Sequence, residues 1–391
     1  MQTRDERLAV THLGEDQSRY LNAVVPPVFM NSLHIFDSME AYATRDAKES
    51  FVYGRVDNPT VKILEEKVAA LEGGCRAIAF ASGMAAASAA ILAVCRAGSH
   101  VICMRDVYQP IKNILNQYLI PRLGITVSYW DGLDLNDLES LVQDNTAMLL
   151  LESPATFVFT VTDIEGAAKI AKAHGVKTYI DNTFCTPLYQ KPLAMGIDIV
   201  MHTISKYIGG HSDIIGGILV VKDEELGELI HGTIRELFGG IIGPMEAWLA
   251  IRGLRTMPLR VQQHQQTAME VAQYLEKHPK VERVYYTGLA SHPQADLIRK
   301  QQTGHTGLMS FVLKCEPEKA AEAVNKLKVF EIGCSWGGFE SLALCPMLYY
   351  KPEELEFLNL RESERGLIRI HCGLEGTDVL IEDLEQALEE A

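Results

Sequence analysis

The sequence of 391 residues lacks the long apolar segments of exported and membrane-spanning proteins. The first residues, Met1 to Arg7, are mostly polar and lead into no apolar core of signal-peptide length. No window approaches the roughly 20 apolar residues that a transmembrane helix needs. These absences predict a cytoplasmic protein.

Basic clusters and paired cysteines are also absent. Asp and Glu outnumber Lys and Arg by 51 to 36, and the net charge of -15 disfavours nucleic acid and anionic membranes as partners. The eight cysteines are scattered without a C-x-x-C pair, which argues against a disulfide framework or a zinc site and fits a reducing compartment. No metal is predicted. No G-x-G-x-x-G follows the first strand, which disfavours a nicotinamide-binding Rossmann enzyme.

Apolar residues, 47% of the chain, occur instead in short runs that alternate with helical patterns. Such alternation predicts an α/β fold with a mostly parallel sheet wrapped by helices. The predicted strands of this sheet are 77–81, 101–104, 126–129, 147–151, 178–181, 197–201 and 217–221.

Three parts are expected along the chain. Residues 1–56 show no sustained period and predict an extended N-terminal arm. A helix after Asn58-Pro59 begins the large domain, 57–254, and residues 255–391 form a smaller α+β C-terminal domain. The predicted elements of this smaller domain include a long helix near 262–277, strands near 307–313 and 367–372, and a final helix after Thr377.

A lysine follows the sixth predicted strand, among the hydroxyls and glycines of residues 202–213. Lys206 would lie at the carboxyl end of that strand, the edge where open α/β sheets bind ligands. A desolvated amine has a lowered pKa and attacks carbonyl groups. Lys206 is therefore a candidate for covalent attachment of a cofactor, although a solvated lysine in a glycine loop has the same local pattern.

Two other strand ends favour the cofactor interpretation. Asp181 ends the fifth predicted strand, where a carboxylate either keeps the ring nitrogen of pyridoxal phosphate (PLP) protonated or only caps the next turn. Ser82 and Gly83 stand between the first strand and an alanine-rich helix. The N–H groups at the start of such a helix bind phosphate, although many similar turns hold no ligand.

Further motifs run along nearly the whole chain: Tyr53-Gly54-Arg55, Asn58-Pro59-Thr60, Ser82-Gly83-Met84, Asp181-Asn182-Thr183-Phe184, Ser205-Lys206-Tyr207, Gly210-His211-Ser212-Asp213, Arg252-Gly253-Leu254-Arg255-Thr256 and Glu340-Ser341-Leu342. In content and order they resemble those of the PLP-dependent Cys/Met-metabolism enzymes, the transsulfuration family of fold type I. The resemblance implies PLP as the cofactor and a sulfur amino acid as the substrate.

The resemblance also implies roles for individual residues. Lys206 would hold PLP and act as the base, Asp181 would bind the ring nitrogen, and Tyr108 would cover the ring. The other cofactor-binding residues that it implies are Ser82, Gly83, Met84, Thr203 and Ser205, together with Tyr53 and Arg55 of a neighbouring subunit. The active site would then be shared between two subunits of a homo-oligomer, a tetramer built as a dimer of dimers.

The substrate's carboxylate is expected at Arg369. From the residues alone, an arginine in the middle of the apolar run 367–370 is either a carboxylate anchor or half of a salt bridge. The resemblance implies the anchor, with Ser335 and Trp336 beside it. Without the resemblance, Trp336 would read as a packed aromatic side chain.

Three places resemble the enterobacterial type of cystathionine β-lyases: Tyr108-Gln109-Pro110, Glu152-Ser153-Pro154-Ala155-Thr156 and Ser335-Trp336-Gly337-Gly338. This similarity implies β-elimination of cystathionine to homocysteine, pyruvate and ammonia. The alternatives are γ-elimination or γ-replacement, and a PLP-binding protein without catalysis. The chain also departs from the pattern. Residues 234–238 hold no tyrosine, and Thr203, Ser205 and His371 replace the usual side chains.

Overall fold

The computed structural model describes residues 3–46, 50–351, 354–355, 360 and 362–389. Within this part of the chain, no helix is both long and apolar enough to cross a membrane. The helices, numbered α1 to α15, are Arg4–Thr11, Met39–Ala43, Pro59–Glu72, Gly83–Val94, Gln109–Ile114, Ile120–Leu123, Leu135–Ser140, Ile164–Ala173, Thr186–Tyr189, Glu224–Glu228, Glu236–Phe238, Pro244–Lys277, Ala295–Gln301, Pro317–Asn325 and Thr377–Glu389.

Short helical segments of other types lie between them. The 3₁₀ segments are Gln17–Tyr20, Pro192–Met195, Pro346–Leu348 and Glu362–Glu364, and the π-helical segments are Leu115–Leu119, Ile204–Ile208 and Leu229–Arg235. The strands, numbered β1 to β12, are Arg76–Phe80, His100–Met104, Thr126–Trp130, Thr146–Glu152, Lys177–Asp181, Ile199–Thr203, Gly217–Val221, Val281–Tyr285, Leu308–Leu313, Glu331–Ile332, Leu342–Leu344 and Leu367–His371.

The large sheet has seven strands in the order β1-β7-β6-β5-β4-β2-β3. Strand β7 runs antiparallel to β1 and β6, and the other pairs are parallel. Helices cover both faces, so the strands read as continuous apolar runs. The predicted α/β class is confirmed, and each of the seven predicted runs is a strand whose ends lie within two residues of the prediction.

The second sheet has five strands in the order β10-β11-β12-β9-β8. The predicted strands near 307–313 and 367–372 are β9 and β12, and the predicted final helix is α15, which buries Leu380, Leu384 and Leu388. Strands β8, β10 and β11 were not predicted. Strand β10 has two residues, both exposed, and β11 has three residues, two of them buried, so both are too short to give a periodic signal.

Helix α12 connects the two halves of the molecule. It is 34 residues long and contains the helix predicted near 262–277. Its first part, with Leu254 and Val261, packs in the apolar core of the large sheet, whereas Ala268 and Leu275 pack in a second core around the small sheet. The domain change near Leu254 stays a prediction, and that residue lies inside this continuous helix.

The N-terminal segment is not extended throughout. Helix α1 begins with a capping box in which Thr3 and Glu6 bond each other's backbone N–H groups. Behind it, Glu15 accepts from the fully buried Lys67 at 2.9 Å and from Arg255 at 3.0 Å. This buried cluster fixes the start of the chain to α3 and α12. Beyond it, large apolar side chains are exposed: Leu21, Val24, Met30, Ile35 and Met39.

The buried cluster gives a stability prediction. Replacing Glu15 by Ala should lower the free energy of unfolding by about 3–5 kcal/mol, because Lys67 would be left buried without its carboxylate. Urea denaturation followed by circular dichroism measures this. Glu322→Ala removes an exposed ion pair with Lys319 and should leave the urea midpoint unchanged. Equal midpoints for both variants would contradict the anchoring role of Glu15.

Candidate active site

A cavity of about 500 Å³ lies at the carboxyl edge of the large sheet. Strands β4, β5 and β6 end at this edge, and α4 begins there. The second sheet contributes Arg369, from β12, and the loop between β10 and β11. The predicted site residues that line the cavity are Ser82, Gly83, Met84, Tyr108, Asp181, Thr203, Ser205, Lys206, Ser335, Trp336 and Arg369.

Lys206 projects its amine into this cavity from a kinked segment, with φ -96° and ψ -130° inside the π-helical turn Ile204–Ile208. Its Nζ donates to Ser335 Oγ at 2.7 Å and lies 5.3 Å from the centroid of the Trp336 ring. Burial, assisted by the charge of Arg369, lowers the pKa of Lys206 to about 8. A substantial neutral fraction, the nucleophilic form, is therefore present near neutral pH.

Asp181 stands at the end of β5, and burial raises the pKa of its carboxyl group. The N–H and the hydroxyl of Thr183 both donate to Asp181 Oδ1 and oppose this rise. Thr183 Oγ1 in turn accepts from the N–H of Thr203, the last residue of β6. The carboxylate is thus held in one orientation, with its environment ready for a cationic ring nitrogen.

The start of α4 is packed closely against the ends of β6 and β7. Ser82 caps the helix by accepting from the N–H of Ala85 at 3.0 Å. A Cβ added to Gly83 would stand 2.5 Å from Thr203 Oγ1, and one added to Gly217 would stand 2.5 Å from the carbonyl oxygen of Ser82. Glycine at these two positions lets the start of α4 lie directly against the strand ends. Because Ser82, Gly83 and Met84 line the cavity, the unpaired N–H groups of this helix start are candidates for an anion site.

Arg369 is buried in the middle of β12, and burial lowers the pKa of its guanidinium. One nitrogen donates to the carbonyl of Cys334 at 2.9 Å, and the group lies 5.4 Å from the Phe157 ring. Among the described residues it forms no ion pair, so the salt-bridge interpretation has no partner there. A planar cation that lines a cavity in this way is suited to a carboxylate.

Tyr53 and Arg55 do not line the cavity of their own chain. Tyr53 is exposed, and Arg55 donates to the carbonyl of Glu236 at 3.0 Å, beside a separate cavity of about 610 Å³. The structure therefore does not bring these two predicted residues together with Lys206 within one chain. Their predicted role in a neighbouring subunit stays a prediction.

No role was predicted for five residues that line the cavity, although four of them stand in the motifs quoted above: Glu152, Thr156, Ser212, Cys334 and Glu340. Glu152 gave a usable signal, since it ends a strand beside the strand that Asp181 ends. His371 lies behind the cavity, with its ring centroid 5.8 Å from that of Tyr207, and burial lowers its pKa well below the usual value. It belongs to the packing that supports the lysine segment.

A buried lysine at a sheet edge, opposite an acid and an arginine and beside a helix N-terminus, defines a class: enzymes that attach a carbonyl cofactor and bind an amino acid. The chain belongs to the Cys/Met metabolism PLP-dependent enzyme family, whose model matches residues 8–389. The predicted family and its cofactor, PLP, are therefore confirmed.

Relatives in this family have several different activities in their names. The chain is 36% identical to an L-methionine gamma-lyase of Fusobacterium nucleatum, over 97% of this chain and 96% of the relative. It is 37% identical to the cystathionine beta-lyase MetC of Bacillus subtilis, over 94% of this chain and 92% of the relative. It is also 37% identical to the human cystathionine gamma-lyase, over 97% of this chain and 92% of the relative. The solved structure of metB from Corynebacterium glutamicum matches with a TM-score of 0.92 and 31% identity, covering 99% of this chain and 98% of that one.

The residues of the cavity fit PLP. Lys206 offers an amine for the aldehyde, Asp181 an acceptor for the ring nitrogen, and the start of α4 an anion site for the phosphate. Gly83 and Gly217 allow the start of α4 to lie at this edge of the sheet, because a Cβ at either position would collide with Thr203 or Ser82. Each chemical part of the cofactor thus has a matching group in one cavity.

We predict that Lys206 is the attachment point of PLP. Borohydride reduction of the holoenzyme, followed by peptide mass mapping, should place the cofactor on this lysine. Lys206→Ala should carry no label, whereas Lys177→Ala, which changes a lysine paired with Asp198 outside the cavity, should be labelled normally. A label on any other lysine would refute the assignment.

The pKa of Lys206 also predicts how the rate of PLP attachment depends on pH. PLP added to apoenzyme should react faster as pH rises and level off above about pH 8, because the Lys206 amine is neutral above that value rather than above its usual 10.5. A rate that keeps rising toward pH 10 would contradict the effect of burial.

Proposed function

We propose that this protein cleaves the carbon–sulfur bond of sulfur amino acids, and that its main reaction is β-elimination of cystathionine. The products would be homocysteine, pyruvate and ammonia, with one water consumed. The observation that carries the proposal is the position of Lys206 Nζ in the same cavity as Asp181 and Arg369. An amine, a carboxylate and a guanidinium there match the aldehyde and ring nitrogen of PLP and the carboxylate of an amino acid.

In this proposal, PLP supplies the electron sink that stabilises the carbanion formed at the α-carbon of the substrate. Asp181 holds the proton on the ring nitrogen. Tyr108, which is half exposed at the cavity, covers the ring. The phosphate is held by the turn of Ser82, Gly83 and Met84 and by Thr203 and Ser205, with Tyr53 and Arg55 of a second subunit.

The free amine of Lys206 would be the base that removes the α-proton of the bound substrate. Its hydrogen bond with Ser335 Oγ sets the direction of the amine. Arg369 binds the carboxylate and so orients the α-carbon toward Lys206. The electron pair of the β-carbon–sulfur bond leaves with the sulfur, which is protonated to give the thiol of homocysteine. Water then converts the three-carbon fragment into pyruvate and ammonia.

Support for β-elimination comes from the cavity wall. Trp336 packs on Tyr207 at 5.5 Å between centroids and stands beside Lys206, where a bulky aromatic restricts the conformations of the substrate chain. The rival is γ-elimination or γ-replacement, which requires removal of a second proton, at the β-carbon. The relatives named for γ-reactions support this alternative.

Product analysis tests the reaction. We expect cystathionine to give pyruvate and homocysteine, and we expect smaller rates or none with methionine and O-acylhomoserine. Keto acids are identified by chromatography after derivatisation, with Lys206→Ala as the inactive control. Formation of 2-oxobutyrate from cystathionine without pyruvate would replace β-elimination by the γ-reaction.

We also propose a cytoplasmic homotetramer, a dimer of dimers whose active sites are shared between subunits. Support comes from the eight free cysteines, from the exposed apolar side chains of the N-terminal segment, and from the position of Tyr53 and Arg55 outside the cavity of their own chain. Exposed apolar surface of this kind is typical of an interface.

A mixing experiment tests the shared site. Lys206→Ala and Arg55→Ala subunits, each strongly impaired alone, should regain about a quarter of the wild-type activity when co-expressed in equal amounts. The reason is that half of randomly formed dimers are mixed and each mixed dimer has one complete site. Lys206→Ala mixed with Asp181→Ala should regain nothing, since both residues come from one chain. No recovery in the first mixture would show that Arg55 does not serve the active site of a neighbouring subunit.

A further inference from the structure

Glu152 is a second carboxylic acid beside Asp181. It ends β4, and Asp181 is its register partner on the neighbouring parallel strand β5. Partners in adjacent parallel strands project to the same face of the sheet, and both side chains line the cavity. The proposed mechanism gives Asp181 a role and leaves Glu152 without one.

The carboxyl group of Glu152 reaches the backbone of Tyr108. Its Oε2 accepts the N–H of Tyr108 at 2.6 Å. Tyr108 immediately precedes α5 and makes no side-chain cap for that helix. The bond to Glu152 therefore connects the end of the sheet to the residue whose ring stands half exposed at the cavity.

The two acids differ in how well each supports a negative charge. Asp181 receives two hydrogen bonds from Thr183, whereas the bond from Tyr108 is the one found for Glu152 among the described residues. Burial and the neighbouring Asp181 raise the pKa of Glu152 well above its usual range, against the opposing charge of Lys112, and Asp106 adds to the rise. Protonation of one of two desolvated carboxyls that lie side by side relieves the repulsion of like charges, and the two bonds from Thr183 favour the charge on Asp181.

We propose that Glu152 is a positioning residue for the cofactor: as a neutral carboxylic acid it holds the backbone of Tyr108 over the cofactor ring and leaves the negative charge of the pair on Asp181. This inference rests on the proposed place of PLP between Tyr108 and Asp181. The side chain of Glu152 is long enough to accept the backbone N–H of Tyr108, and as a neutral acid it adds no second negative charge beside Asp181.

Two substitutions of Glu152 distinguish the effect of side-chain length from the effect of charge. Glu152→Gln keeps the length and a carbonyl acceptor without any charge, so PLP affinity and kcat should stay within about threefold of wild type. Glu152→Asp keeps a carboxyl group but retracts it by one methylene from Tyr108. Its Kd for PLP should rise about tenfold or more, the usual effect of losing one buried hydrogen bond, and the circular dichroism of the bound cofactor should weaken.

Asp134→Ala is the matched control. It removes a carboxylate that accepts a backbone N–H at the start of α7, away from the cavity. It should change neither the Kd for PLP nor the circular dichroism of the bound cofactor. Unfolding midpoints check that every variant folds. Equal PLP affinity in Glu152→Asp and wild type, or a Glu152→Gln variant as defective as Glu152→Asp, would overturn the proposal.

The outcome is distinct from a failure of the proposed function. Borohydride labelling of wild-type enzyme at Lys206 establishes the place of the cofactor independently of Glu152. Labelling at Lys206 together with unchanged affinity in Glu152→Asp would reject the role of Glu152 alone. Labelling elsewhere would reject the proposed site itself.

Discussion

The active-site geometry depends on parallel strands that end together at one edge of a sheet. Because β4, β5 and β6 pair side by side, their last residues, Glu152, Asp181 and Thr203, converge on one small volume. Helices cover the faces of the sheet, so water has little access and charges there are poorly solvated. A lysine in the loop after β6 is thereby desolvated, and its pKa falls to about 8.

Desolvation also dictates which groups accompany the lysine. A buried carboxyl group stays anionic only with donors, and Thr183 provides two to Asp181. The buried guanidinium of Arg369 comes from the second sheet, so the cavity closes only when both cores are in place. Helix α12 packs in both cores and holds them in register. The position of Arg369 relative to Lys206 is thus a property of the whole chain, which explains why its motifs are spread so widely.

The sequence predicts the large sheet well because its strands are buried on both faces and appear as apolar runs. Strand β7, for example, is buried at every residue. It predicts the small sheet less well, since β10 and β11 are short and derive their position from β12. Lys206, Asp181 and Ser82 were predictable because each lies at or just after the end of a strand and stands in a distinctive motif. The signal at Glu152 was weaker, because no motif gave this acid a role, and its role comes from the register with Asp181 and the bond to Tyr108.

The arrangement of the active-site residues does not by itself determine whether β- or γ-elimination takes place. In the proposed function the roles of Lys206, Asp181 and Arg369 are the same for β- and γ-elimination, because both reactions begin with removal of the α-proton. The choice depends on how the rest of the substrate is held while a second bond breaks. The binding free energy that a side chain of the cavity wall, such as Trp336, contributes can differ by about 1–3 kcal/mol between substrates. Such a difference changes the ratio of two reaction rates about 10- to 100-fold. A few side chains can therefore redirect the chemistry while the framework stays the same, which accounts for relatives at 36% and 37% identity that bear the names of different lyases.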